Sequence, residues 1–150
     1  MTKWLFLFLI LCGCGRKYIQ SENGLGGGRG KATNEAWTCD AKWSGDERCL
    51  TLTWEVPPAE KQMAAFLIKL WRPNRADQTG VLLDDFQDLK IELYMPSMGH
   101  GSSPVQIEKI DVGTYRVTAV SLFMHGDWEI RFEATDRQGQ RQNAKISLDF

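Results

Sequence analysis

From Leu50 onward, apolar and polar residues trade places along much of the chain. Leu50, Leu52, Trp54 and Val56 point one way while Thr51, Thr53 and Glu55 point the other, the two-residue period of a strand with one buried face. Pro57-Pro58 ends that strand, and Ala65 to Trp71 supplies a second apolar run closed by Arg72-Pro73. Alternation returns at Leu89, Ile91 and Leu93, at Val105 and Ile107, from Trp128 through Ala134, and at Ala144, Ile146 and Leu148. No long stretch shows a capped helical period, and residues 59–64 and 82–89 have room for one short helical turn each at most. Roughly seven short strands separated by polar turns predict an all-β fold, a two-sheet antiparallel β-sandwich over residues 34–150.

The first residues follow another rule. Lys3 precedes an unbroken apolar run from Trp4 to Leu11 and then Cys12-Gly13-Cys14, the layout of an export signal. The run is too short to cross a bilayer, which takes about twenty residues. Leu11-Cys12-Gly13-Cys14 resembles the bacterial lipobox, in which a small residue precedes the cysteine that is lipidated and becomes the new N-terminus. Cys14 follows Gly13 and fits; Cys12 follows Leu11 and fits less well. Residues 1–13 are therefore expected to be a lipoprotein signal peptide, with an ordinary cleaved signal as the plainer alternative.

Residues 14–33 then read as lipid anchor and tether, because the cluster from Gly24 to Gly30 is too flexible and polar to bury. The cluster lacks the Lys-Ser/Thr ending and the preceding strand of a phosphate-binding loop. The expected location is the bacterial cell envelope, with the domain held to a membrane by lipid and facing the periplasm or the cell exterior. With residues 1–13 lost and Cys14 lipidated, Cys39 and Cys49 remain, and an even pair in an oxidising compartment predicts a disulfide. A turn at Ser44-Gly45-Asp46 would bring the two together, and closing so short a loop is worth about 2–3 kcal/mol. A metal-ligating pair is the rival, but no third thiol completes it.

Charge narrows the partners. The formal net charge is -1, and losing Lys3 with the signal takes it to -2, so no field draws in nucleic acid or acidic lipid. Both histidines, and every methionine after the first residue except Met63, fall in Met95-Pro96-Ser97-Met98-Gly99-His100-Gly101 and Met124-His125-Gly126. Glycine, proline and serine around them mark loops. Antiparallel connection with short turns puts both loops at the same end of a sandwich. Thioether sulfur is a soft ligand and imidazole a borderline one, a mixture suited to copper, to Cu(I) before Cu(II), and unsuited to magnesium or calcium. The candidate ligands are Met95, Met98, His100, Met124 and His125, with Asp127 as an oxygen donor if the metal were zinc. Against this stands a plainer reading in which Met95 and Met124 fill gaps in the core and the histidines are surface polar residues. Ser102 or Ser103 with His100 and Asp127 form no recognisable hydrolase motif, and no enzymatic activity is expected.

Asp111-Val112-Gly113-Thr114-Tyr115 resembles the tyrosine corner of immunoglobulin-like sandwiches, with Tyr115 tying down the start of a late strand. Taken together, Met95-Pro96-x-Met98-x-His100-Gly101, Gly113-x-Tyr115 and Phe123-Met124-x-Gly126-x-Trp128 resemble the YtkA-like and FixH-like group of small exported β-sandwich domains. The resemblance spans roughly residues 37–150, with its motifs concentrated in 93–134. It implies an immunoglobulin-like sandwich and a link to copper handling or to assembly of copper-containing respiratory enzymes. The expected function is thus a lipid-anchored copper carrier or assembly factor with a copper-receiving envelope protein as partner. The alternative is a metal-free interaction module of the envelope, for which Trp43, Trp71 and Trp128 would be the interface aromatics.

Overall fold

Strand-forming sequence becomes strand wherever one face finds something to cover it. The computed structural model describes residues 37–150 apart from 46, 77 and 78; the expected signal peptide, Cys14 and the glycine tether lie outside the described residues. In chain order the strands are β1 (Ala41–Lys42), β2 (Cys49–Val56), β3 (Ala64–Pro73), β4 (Gly80–Leu82), β5 (Phe86–Met95), β6 (His100–Gly101), β7 (Gln106–Asp111), β8 (Thr114–Val120), β9 (Asp127–Asp136) and β10 (Arg141–Asp149). They make two antiparallel sheets, ordered β1-β2-β3-β8-β7 with β4 also on β3, and β10-β9-β5-β6.

The expected sandwich is present, with ten strands among the described residues where the alternation suggested about seven. The additional three, β1, β4 and β6, are two or three residues long, too short for any alternation to register. No helical turn forms at 59–64 or 82–89: Ala59 and Gln62 make an isolated bridge, and the second stretch holds the end of β4 and the start of β5.

The core lies between the sheets. Leu50, Phe66, Ile68 and Val117 from one sheet meet Leu93, Trp128, Ile130 and Phe132 from the other, all fully buried. Each such side chain removed from water is worth roughly 1.5–3 kcal/mol. Trp43 fills one end, with its ring 4.5 Å from that of Phe86 and 6.5 Å from that of Phe132. Trp43, Trp71 and Trp128 are 2%, 4% and 0% exposed, so the three tryptophans that an interaction module was expected to display are core residues.

β7 departs from its pattern. Val105 and Ile107 suggest a half-buried strand, yet all six residues of β7 are exposed. The strand is the edge of the larger sheet, and neither of its faces is covered. A bulge between Lys109 and Asp111, together with charged Glu108 and Lys109, blunts this edge against pairing with other chains. Lys109 Nζ also reaches Asp84 Oδ1 at 2.5 Å.

The expected disulfide joins Cys39 and Cys49 across a separation of ten residues. It lies beside the β1–β2 hairpin, in which Lys42 faces Cys49. Nearby, the Arg48 guanidinium lies 4.6 Å over the Phe86 ring and within 3.3 Å of Asp85 and 3.6 Å of Asp136. Asp136 accepts from the backbone N–H groups of Gln140 at 2.8 Å and Gln138 at 3.0 Å, and from Gln142 Nε2 at 3.2 Å. The Gln140 N–H chiefly, helped by the Arg48 charge, holds this carboxyl below the usual range despite its burial.

At the expected tyrosine corner, Tyr115 is buried in β8 opposite Ile68 and Lys109. The turn is closed by its neighbours: Asp111 Oδ1 accepts from Val112 N at 2.7 Å, Thr114 Oγ1 donates to Val112 O at 3.1 Å, and Leu70 N donates to Gly113 O at 2.8 Å. Gly113 has φ +56°, and a Cβ there would stand 2.6 Å from the Leu83 carbonyl and 2.8 Å from that of Leu70. Backbone cannot yield as a side chain can. Gly113→Ala is therefore expected to destabilise the domain by at least about 1–2 kcal/mol, the cost of the left-handed conformation alone, read as a lower midpoint in urea unfolding.

Candidate metal centre

β2, β3 and β8 all end or begin at one pole of the sandwich, and each is irregular there. Register shifts fall between Trp54 and Val56 and between Ala64 and Phe66, and Ala119 sits at φ +57° just before β8 ends. Bulges of this kind terminate pairing and turn the chain outward, here into the 57–63 and 121–126 loops. From the other sheet, Met95-Pro96-Ser97-Met98-Gly99-His100 makes a tight hairpin, with Gly99 N donating to Met95 O at 2.9 Å and Gly99 at φ +68°. Phe150 completes the pole, exchanging backbone hydrogen bonds with Gly126 at 2.7 and 3.1 Å.

The five candidate ligands occupy different environments. Met95 is only 3% exposed and belongs to the core. Its methyl carbon sits within 2.7 Å of where a Cβ on Gly126 would be, and Gly126 itself has φ +138°, a conformation that favours glycine. Met98, at the tip of the hairpin, is 59% exposed. His100 is directly opposite Met95 in the β5–β6 pairing, so both side chains point toward the same face. Met95 fills the interior while His100, half-buried, comes out at the rim. Met124 is half-buried against the core, and His125 is exposed.

The two loops do come together. The His100 ring lies flat on that of Phe123, with centroids 6.3 Å apart and planes 5° from parallel. Phe123 in turn meets Trp128 edge-on at 5.8 Å, and Trp128 Nε1 donates to the Met124 carbonyl at 2.8 Å. Ser102 Oγ donates to Ser121 O at 2.6 Å, a second tie between the hairpin and the 121–126 loop.

Hydrogen bonding separates the histidines. Nδ1 of His100 faces the Gly101 carbonyl at 3.2 Å, and a carbonyl only accepts, so Nδ1 carries the proton. In the neutral ring this leaves the lone pair on Nε2, the arrangement found in metal-ligating histidines. His125 is differently engaged, with Nε2 3.0 Å from Glu60 Oε1 and the ring stacked on Phe150 at 5.2 Å. The Glu60 carboxylate first, and then the Phe150 backbone, favour the charged imidazolium and raise the pKa of His125.

Sequence reasoning named Phe123 only as part of a motif, missed Glu60 and Phe150, and set Met63 apart. Phe123 offered one signal, a large apolar residue placed where the alternation has lapsed. Met63, 60% exposed, ends the 57–63 loop and so belongs to the same pole. Among the described residues, no three of His, Cys, Asp and Glu gather as a metal-binding group, so the oxygen-containing zinc set through Asp127 has no counterpart.

A groove of about 780 Å³ lies elsewhere, on the outer face of the four-stranded sheet, lined by Lys42, Lys90, Glu129, Arg131, Glu133 and Lys145 among others. Its central carboxylate is already paired: Glu129 lies 2.7 Å from Lys145 and 2.8 Å from Arg131, and those cations hold its pKa down. Soft donors are absent from this lining.

Residues 50–133, more than half of the chain, match the YtkA-like family model. The chain belongs to the YtkA-like family. Comparison with curated proteins and with solved structures finds no significant match. The matched span of the YtkA-like domain runs from the second residue of β2 into β9 and takes in both pole loops, Met63, Phe123 and Trp128. The Cys39–Cys49 disulfide, β1, β10 and Phe150 lie outside it.

The Glu60–His125 pair yields a pH signature. Because the native pKa is raised, the stabilisation from this pair is complete below the unfolded histidine value of about 6.5 and disappears as pH rises through the higher native value. Imidazole titration followed by NMR is expected to place His125 above 6.5, and Glu60→Gln to bring it back toward that value; an unmoved midpoint would mean the contact is not formed.

Proposed function

We propose that the YtkA-like domain binds a single copper ion, as Cu(I), at this pole and passes it to a receiving protein of the cell envelope. The supporting observation is His100: its Nδ1 faces the Gly101 carbonyl, which leaves Nε2 as the nitrogen available to a ligand, and it stands between exposed Met98 and the Met124 loop. Met98, His100 and Met124 are the accessible donors. His125 joins them on giving up Glu60, and Met95 supports the hairpin from inside the core. A donor set of neutral thioethers and one neutral imidazole adds no negative charge, which favours the monovalent, soft ion over Zn²⁺ or Mg²⁺. Placement on loops at the open end of the sandwich leaves the ion within reach of a partner's ligands. Exchange then proceeds by substitution of one donor at a time, without unfolding the sheets.

Titration with Cu(I) against a colorimetric chelator is expected to show one equivalent bound, with binding lost when Met98 and His100 are both changed to alanine. Full stoichiometric binding in that variant would reject these ligands. A wild-type protein that takes no copper from the chelator would favour a second reading, a metal-free interaction module. For that reading the support is the 58% exposure of Phe123 beside His100, an apolar surface suited to a protein partner.

The proposal includes a lipid anchor at Cys14, supported by the Leu11-Cys12-Gly13-Cys14 sequence and the polar, glycine-rich stretch that follows. Cells expressing the chain are expected to incorporate labelled palmitate into it, and Cys14→Ser to abolish the label. Retained label in that variant would move the anchor to another residue.

A further inference from the structure

All the methionines of the described chain, and not only those of the two motif segments, converge on this pole. Met63 lies far from the others in sequence, yet it sits where the 57–63 loop returns to β3. Its neighbour Ala64 pairs with Val120, so Met63 stands beside the point where the chain leaves β8 toward Ser121. Ser121 O is the acceptor for Ser102 Oγ at 2.6 Å, and Ser102 lies two residues beyond His100. From the other side of the same loop, Glu60 Oε1 reaches His125 Nε2 at 3.0 Å. The loop carrying Met63 is thus connected directly to the His125 loop and, through Ser121, to the His100 hairpin.

Met63 is 60% exposed, although Phe66 and Ile68 on the strand it introduces are fully buried. Exposure of an unbranched thioether brings no packing gain, and methionine's value at such a place is a flexible, polarizable sulfur. Met98, at 59%, is exposed to the same degree on the hairpin from the opposite sheet. One exposed sulfur therefore stands on each sheet's contribution to the pole, with His100 and Phe123 at the rim.

We propose that Met63 is a copper ligand of this site, so that the incoming ion is held by sulfur from both sheets, Met63 from one and Met98 from the other, together with His100. The inference rests on the copper reading given above and adds to it a ligand from a loop outside the two motif segments. It also separates the methionines by role: Met63 and Met98 capture the ion, Met124 lies deeper, and Met95 packs.

The test uses the full chain in detergent micelles, labelled with ¹³C at the methionine methyl groups and assigned by single Met→Leu substitutions. Silver(I), a redox-inert stand-in for Cu(I), is added in steps. The methyl signals of Met63 and Met98 are expected to move together with one equivalent of silver while that of Met95 stays in place. Met63→Leu is expected to weaken Cu(I) binding about tenfold in chelator competition, the loss of one donor among several, with the fold retained by circular dichroism.

If Met98 responds to silver and Met63 does not, or if Met63→Leu binds Cu(I) as tightly as the parent, the assignment of Met63 is overturned while the copper site stands. If no methyl signal responds, both fall.

Discussion

Trp128 has no exposed surface, so its indole N–H must find a partner inside the protein or carry an uncompensated polar group. The Met124 carbonyl supplies that partner at 2.8 Å, and the bond fixes the chain four residues back, outside any strand. The rest of the pole is built outward from this contact. Phe123 rests edge-on against the indole, His100 lies flat on Phe123, and the 95–100 hairpin is thereby docked on a loop from elsewhere in the chain. Phe150 closes the other side by bonding Gly126 and stacking on His125. These loops have irregular backbone with defined positions, because a core residue sets where they begin.

Much of this was legible in the sequence because a sandwich repeats one signal. The long strands β2, β5, β9 and β10 each alternate over enough residues for their buried faces to be read, β3 reads as an apolar run, and the structure covers the faces that the alternation marks. β7 has the same alternation and is exposed throughout, since a pattern records what a strand offers and not whether a second sheet lies across from it. The meeting of the two motif loops followed from strand parity alone. Parity applies equally to the 57–63 loop, but Met63 stood alone among polar residues and carried no motif to attract attention. Met95 and Met98 illustrate the remaining limit. Three residues apart in one hairpin, one is buried in the core with its methyl close to Gly126 and the other is at the tip, a difference that depends on packing against residues far away in sequence.

The two poles divide the work by chemistry. Away from the methionines, the domain concentrates its cross-links and buried charge: the Cys39–Cys49 disulfide, Arg48 stacked on Phe86, and Asp136 surrounded by four donors. A buried carboxylate is tolerable there because every nearby donor is aimed at it, and breaking such a set costs far more than a surface pair does. The methionine pole contains little that stabilises by burial or charge at its rim. Met63, Met98 and Phe123 each leave more than half of their surface in water. A domain that closes its core elsewhere can carry such residues without losing its fold, which explains how loops rich in glycine and exposed sulfur persist beside a tightly packed interior.

What distinguishes this pole from a merely apolar patch is the state of its imidazole. An apolar partner would be met as well by phenylalanine or leucine at position 100, and nothing in such a contact calls for a fixed proton. Here Nδ1 faces the Gly101 carbonyl, which can only accept, and the ring stacks parallel to that of Phe123, leaving Nε2 as the outward nitrogen. Under the copper reading proposed above, the hairpin would offer one oriented imidazole nitrogen among sulfurs of adaptable direction. Such a mixture suits a soft ion with loose geometric demands, since flexible thioethers adjust around it. His125 has its Nε2 engaged by Glu60, so that nitrogen can ligate only when the contact opens. The two histidines, alike in sequence context, are thus differently engaged, one at a backbone carbonyl and the other at a carboxylate.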